Sequence, residues 1–139
     1  MAKTLKDLMT RDPVTLAPQA TAADAARLMR DHDIGDVIVC EGDQLCGIVT
    51  DRDLAVRCLA EKERPAERQL GEVCSLDVFT LAPDDSVELA VAAMKQRAIR
   101  RIPVVDGDRL VGVVSLGDLA QAQDAQSCLG QISAAPPNQ

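Results

Sequence analysis

A hydroxyl and a carboxylate lie three positions apart at the ends of two similar segments, and such a pair of side chains can hold a small polar ligand. The two segments are Gly47-Ile48-Val49-Thr50-Asp51-Arg52-Asp53 and Gly112-Val113-Val114-Ser115-Leu116-Gly117-Asp118. In each, a β-prone run ends where a helix is predicted to begin, so Thr50 or Ser115 would lie at a helix N-terminus, where unpaired N–H groups favour an anion such as phosphate. The carboxylate of Asp53 or Asp118 can accept two hydrogen bonds from a vicinal diol such as that of ribose. Together these groups favour a nucleotide.

The same spacing has a second interpretation, because Ser/Thr-x-x-Asp is also an ordinary helix capping box. Thr4-x-x-Asp7 and Thr21-x-x-Asp24 match it equally well, so the spacing alone favours plain capping. Context separates the four sites. The two boxes that end in Asp53 and Asp118 each follow a predicted buried strand that contains a glycine. They also occupy equivalent positions of an internal repeat.

That repeat organises the whole chain. Residues 5–57 align with 70–122 without a gap at an offset of 65, with 18 identities in 53 positions, which indicates a tandem duplication. We predict a first repeat over 1–60, a charged linker over 61–69, a second repeat over 70–128 and a disordered tail over 129–139.

Each repeat is predicted to contain a short strand, a helix, a β-hairpin and a closing helix. The short strands are Val14–Leu16 and Val78–Leu81, the first helices begin at Thr21 and Ser86, the hairpins are 37–40 with 45–49 and 102–105 with 110–114, and the closing helices span about 51–59 and 116–125. We expect Ala22, Ala25, Ala26 and Met29 to be buried in the first repeat, and Val87, Ala90, Val91 and Met94 in the second. These elements predict the fold class α/β (α+β), with small mixed sheets. Because one repeat alone has too little core, we expect the two repeats to pack about a pseudo-twofold axis.

These segments carry a family resemblance. The supporting residues are Asp7-Leu8-Met9-Thr10, the two segments that end in Asp53 and Asp118, and Ile99-Arg100-Arg101-Ile102-Pro103-Val104. The chain resembles a tandem pair of cystathionine-β-synthase (CBS) domains, a Bateman module, of the stand-alone bacterial kind. The resemblance implies β-α-β-β-α repeats with AMP, ATP or S-adenosylmethionine bound between them, and a homodimer. It assigns Asp53 and Asp118 to ribose, and Thr50 and Ser115 to the phosphate side.

The two repeats differ in charge beside the motif. Residues 95–101 carry four positive charges and no negative ones, whereas the equivalent residues 30–36 sum to −2. By the resemblance, Arg100 and Arg101 would contact the phosphates of the ligand held by Thr50 and Asp53. The other ligand position, with Ser115 and Asp118, would face Gly35 and Asp36, so we expect it to be empty or to take a less anionic adenosine compound. The alternative for the arginines is a solvated helix end.

Composition excludes several functions. A net charge of −7 and a single aromatic residue oppose binding to nucleic acid or an anionic membrane, and one histidine leaves little for a hydrolase relay or a metal site. Five cysteines without CxxC spacing and no secretion signal favour a reduced, soluble, cytoplasmic protein. We therefore expect a regulatory adenosine-nucleotide sensor that acts through a partner protein or homodimer, without covalent cofactor or catalytic residues. The alternatives are a ligand-free interaction module, and an enzyme that would lack a nucleophile or base at the motif.

Overall fold

The computed structural model describes residues 4–61 and 64–123. The described residues divide into two compact units, and neither unit coincides with one sequence repeat. The central unit contains the described residues of 14–78, and the terminal unit combines 4–13 with 79–123. The predicted tail and the end of the second predicted repeat lie outside the described residues.

The helices and strands are named in chain order. They are β1 (Thr10–Arg11), β2 (Thr15–Leu16), α1 (Ala22–His32), β3 (Asp36–Glu41), β4 (Gln44–Thr50), α2 (Asp51–Leu54), α3 (Leu70–Val73), α4 (Val87–Arg97), β5 (Arg101–Asp106), β6 (Arg109–Ser115) and α5 (Leu116–Gln123). A 3-10 turn over Leu5–Asp7 precedes β1, and a π-helical turn over Ala55–Leu59 continues α2. The predicted fold class is confirmed, because helices and strands alternate along the chain and the strands pair both parallel and antiparallel. Across the described residues, no helix combines the length and apolar character that a bilayer-spanning helix needs.

The central unit has a three-stranded mixed sheet. β2 pairs parallel with β3, and β3 pairs antiparallel with β4. The hairpin turns at Gly42, whose φ of 62° is one that glycine adopts without strain. α1 follows its N-cap residue Thr21, as predicted, and its C-cap is Asp33, whose φ is 54°.

The terminal unit repeats this hairpin with β5 and β6, and β1 pairs antiparallel with β6. The predicted strand over 78–81 is wrong, because only Leu81 forms a bridge, to Val104. The Leu81 N–H donates to the carbonyl of Pro103 at 3.2 Å. The next bond of a parallel ladder would need the N–H that Pro103 lacks. The central unit has Ile38 at the equivalent position and forms the ladder.

Each unit has its own apolar core. The central core contains Ala25, Met29, Val37, Val39, Val49, Leu70, Val73 and Cys74. The terminal core contains Leu5, Leu81, Val87, Ala90, Ala93, Met94, Ile102, Val104, Val114 and Leu119. Two burial predictions are wrong: Ala26 is exposed and Val91 is only half-buried. Both lie at the edge of their helix's apolar stripe, and on α4 Ala93 is the buried residue instead.

The two repeats exchange their opening segments. Leu5 belongs to the first repeat by sequence but is fully buried in the terminal core, and its repeat equivalent Leu70 is fully buried in the central core. The backbone bonds match: the Leu5 N–H donates to the Asp85 carbonyl at 3.0 Å, and the Leu70 N–H donates to the Ala20 carbonyl at 2.8 Å. The predicted boundaries therefore describe the sequence repeats, whereas the compact units each contain a segment of both repeats.

Two glycines admit the exchanged segments. A Cβ built on Gly47 would lie 2.6 Å from the carbonyl oxygen of Ser75, which pairs with the neighbouring residue of β4. A Cβ built on Gly112 would lie 2.9 Å from the carbonyl oxygen of Thr10 on β1. The oxygens belong to backbone, so they cannot move aside as a flexible side chain would.

Gly47→Ala should therefore lower the free energy of unfolding by about 1–3 kcal/mol, the usual range for overpacking a tight site. Gly35→Ala is the matched control, because its added methyl would meet only the Asp51 side chain, at 3.4 Å. Urea unfolding of both variants measures the difference. Equal stability of the two variants would contradict the close approach at Gly47.

Four of the five cysteines lie in the central unit as free thiols. Cys40, Cys58 and Cys74 are buried and Cys46 is half-buried. Burial raises the pKa of Cys40 and of Cys74 above the ordinary thiol value. A raised pKa disfavours the reactive thiolate, so these two side chains act as small apolar groups.

Candidate functional site

The first motif forms where β4 ends and α2 begins. Thr50 is the last residue of β4 and the N-cap of α2. The Thr50 hydroxyl oxygen accepts from the Asp53 N–H at 3.0 Å, and the Thr50 backbone N–H donates to Asp53 Oδ2 at 2.9 Å. The next N–H, of Asp51, donates to the carbonyl of Gly35 at 2.9 Å. These bonds fix both motif side chains at one end of the sheet.

The second motif has the same geometry in the terminal unit. Ser115 ends β6, its N–H donates to Asp118 Oδ2 at 3.0 Å, and its hydroxyl oxygen accepts from the Asp118 N–H at 3.1 Å. The N–H of Leu116 donates to the carbonyl of Arg100 at 2.7 Å. The duplication has therefore preserved the arrangement of the motif as well as its residue types.

The capping bonds leave specific groups for a ligand. Each hydroxyl uses an oxygen lone pair in the cap and keeps its proton to donate, and each carboxylate uses Oδ2 and keeps Oδ1 to accept. The Asp53 side chain is partly accessible, at 17% exposure. One donor and one anionic acceptor side by side suit a ligand that carries hydroxyl groups and an oxygen acceptor.

Capping geometry by itself does not distinguish these motifs. Thr21 and Asp24 form the same reciprocal bonds, at 3.0 and 3.2 Å, at the start of α1. The hydrogen bonds from the Thr21 backbone and side chain lower the pKa of Asp24 below its ordinary value. What distinguishes Thr50 and Ser115 is their place at the ends of β4 and β6, whereas Thr21 lies outside the named strands.

Opposite charges stand beside the two motifs. In the β3–β4 hairpin Asp36 pairs with Thr50, and in the β5–β6 hairpin Arg101 pairs with Ser115. The terminal unit thus brings Arg100 and Arg101 next to its own motif. The expectation that these arginines serve the ligand of Thr50 and Asp53 stays a prediction.

A model of the CBS domain matches the chain twice, over residues 5–59 and 70–125. The chain belongs to the CBS domain family. The matched residues contain both motifs, one in each CBS domain.

Relatives agree with this assignment. The CBS domain-containing protein YhcV of Bacillus subtilis is 40% identical over 126 residues, which cover 91% of this chain and 89% of YhcV. Hypoxic response protein 1 of Mycobacterium tuberculosis is 32% identical, covering 85% of this chain and 83% of that protein.

Solved CBS structures have the same fold. A crystal structure of hypoxic response protein I with two coordinated zinc ions has a TM-score of 0.78 and 32% identity, with 85% of this chain and 97% of that chain covered. The CBS domain pair of protein MJ0100, in complex with 5′-methylthioadenosine and S-adenosyl-L-methionine, has a TM-score of 0.75 and 26% identity, with coverages of 89% and 98%. In the part of this CBS pair that the structure describes, no group of three or more His, Cys, Asp or Glu side chains could hold a metal ion.

One cation of the basic window 95–101 is committed to a contact inside its CBS domain. The guanidinium carbon of Arg97 lies 4.2 Å from the centroid of the Phe79 ring, a cation–π arrangement. Sequence reasoning missed this contact because Phe79 and Arg97 are far apart in the chain. The other cations of the window are Lys95, Arg100 and Arg101.

Sequence reasoning also missed Arg57. Its Nε lies 3.8 Å from Asp53 Oδ1, and its Nη1 donates to the carbonyl of Val73 at 3.3 Å. The signal was present in the sequence, because an acid and a base four residues apart meet on one helix face.

Proposed function

We propose that this CBS pair is a regulatory module that binds an adenosine nucleotide at its two motifs. Ligand binding then signals to a partner protein or to a second copy of the chain. The observation that carries the proposal is the repeated pairing, at the ends of β4 and β6, of a hydroxyl donor with a carboxylate oxygen, Oδ1, that the capping bonds do not use. The adenosine compounds bound by the MJ0100 pair support the ligand class.

The roles follow from the chemistry of each group. Asp53 and Asp118 accept hydrogen bonds from ribose hydroxyls through Oδ1. Thr50 and Ser115 donate their hydroxyl protons on the phosphate side. Arg100 and Arg101 supply the charge that stabilises phosphate, and no side chain of the motif is assigned a catalytic role.

Thermal unfolding with and without AMP, ATP or S-adenosylmethionine tests the proposal. A ligand at 100 times its dissociation constant stabilises the folded chain by about 2.7 kcal/mol. Asp53→Asn together with Asp118→Asn should abolish the shift, because each change keeps one oxygen for the cap and removes the anionic acceptor. Asp24→Asn makes the same chemical change in a capping box outside the strands, so this variant should keep the full shift.

The alternative function is a ligand-free interaction module. It is favoured by the identical bonds of Thr21–Asp24, which show that the hydroxyl–carboxylate pair can serve capping alone. Absence of a melting shift with every adenosine compound would support this alternative and contradict ours.

A further inference from the structure

The carboxylate of the first motif already contacts a cation of its own unit. Arg57 lies on the π-helical turn that continues α2, and its Nε is 3.8 Å from Asp53 Oδ1. The other oxygen, Oδ2, accepts from the Thr50 N–H at 2.9 Å. Both oxygens of Asp53 therefore have a partner within the central unit.

The second motif lacks this cation. The repeat equivalent of Arg57 is Ala122, which carries no charge. α5, which contains Ala122, is also a regular helix rather than a helix that passes into a π turn. The two motifs thus share the cap, but four residues after the aspartate the first has an arginine and the second has an alanine.

A diol hydroxyl and a guanidinium N–H both need the same acceptor lone pairs. Oδ1 of Asp53 is the oxygen that the cap leaves available, and Arg57 occupies its neighbourhood. The Arg57 guanidinium is also held by the Val73 carbonyl at 3.3 Å, so it is positioned even while its side chain is 52% exposed. A hydroxyl that binds Oδ1 therefore adds a second partner to an oxygen that Arg57 Nε already faces at an ion-pair distance of 3.8 Å.

We propose that Arg57 lowers the affinity of the first motif for a vicinal diol by competing for Asp53 Oδ1. The two motifs are then unequal toward ribose even for a ligand without phosphate. This inference rests on the proposed function, since it requires Asp53 to bind a diol. Arg57 is a positioning residue, because it acts through Asp53.

Calorimetric titration with adenosine, which has the diol but no phosphate, tests the competition. The comparison is Asp118→Asn against Asp118→Asn with Arg57→Ala, so that residual binding at the second motif is common to both. Removing an exposed ion pair of this kind should tighten adenosine binding about two- to fivefold. Added salt should shrink the difference, because it screens the ion pair. 2′,3′-Dideoxyadenosine, which lacks both hydroxyls of the diol, should show no difference.

The reverse substitution separates competition from a general loosening of the helix. Ala122→Arg in an Asp53→Asn background installs the missing cation beside Asp118. It should weaken adenosine binding by a similar factor, a result that a merely structural role of Arg57 does not produce.

The possible failures are distinguishable. Unchanged or weaker adenosine binding after Arg57→Ala would overturn the competition while leaving the nucleotide-binding proposal standing. Absence of binding of adenosine, AMP, ATP and S-adenosylmethionine alike, by the unsubstituted chain as well as by the variants, would overturn both.

Discussion

Leu5→Ala should lower the free energy of unfolding by about 2–5 kcal/mol, the range for truncating a fully buried leucine. Leu5 is fully buried in the terminal core, against side chains of α4, β5, β6 and α5. Hydrogen exchange should therefore rise in residues 79–123 more than in 14–61. A chain in which each sequence repeat folded on itself would respond in the opposite order. Peptide-level exchange measured by mass spectrometry, together with urea unfolding, reads both quantities.

Leu70→Ala is the mirror experiment, because Leu70 is the repeat equivalent in the central core. It should cost a similar amount and raise exchange in residues 14–61 instead. Leu76→Ala serves as the control, since this leucine is 74% exposed and its truncation should change stability by less than about 0.5 kcal/mol. Loss of protection in 14–61 after Leu5→Ala would contradict the exchange of segments.

The duplication explains why most of the fold was predictable and the exchange was not. Gly42 and Gly107 mark the two hairpins through backbone angles that suit glycine, and Thr21 marks the start of α1 through local capping bonds. Such signals depend on neighbours in the chain. Leu5 and Leu70 occupy equivalent positions of the repeat, and no local pattern states which core each one enters.

The misses at the candidate site have the same origin. The absence of a strand at 78–81 depends on Pro103, which is distant in sequence, and the stacking of Arg97 on Phe79 also joins distant residues. The motif residues themselves were predictable, because a Ser or Thr three positions before Asp at a strand end is a local pattern. The ion pair of Arg57 with Asp53 is local too, and its spacing was readable in the sequence.

Replacing Arg100 and Arg101 together by alanine should weaken AMP binding by at least about 100-fold, because each charge-assisted phosphate contact is worth roughly 1.5–3 kcal/mol. Adenosine binding should change little, since this ligand has no phosphate. The backbone role of Arg100, whose carbonyl accepts from the Leu116 N–H, survives the substitution. Isothermal titration with both ligands separates the loss of charge from a loss of structure.

Arg97→Ala is the matched control. It also removes a positive charge from the same window, but the side chain that it removes stacks on Phe79. This change should lower stability while AMP affinity stays within a few-fold of the original. Combining the arginine pair with Asp53→Asn, and separately with Asp118→Asn, then assigns the phosphate contacts. Residues that bind one ligand molecule show non-additive losses. Non-additivity with Asp53 would agree with the prediction from the resemblance, whereas non-additivity with Asp118 would mean that the arginines serve the motif beside them.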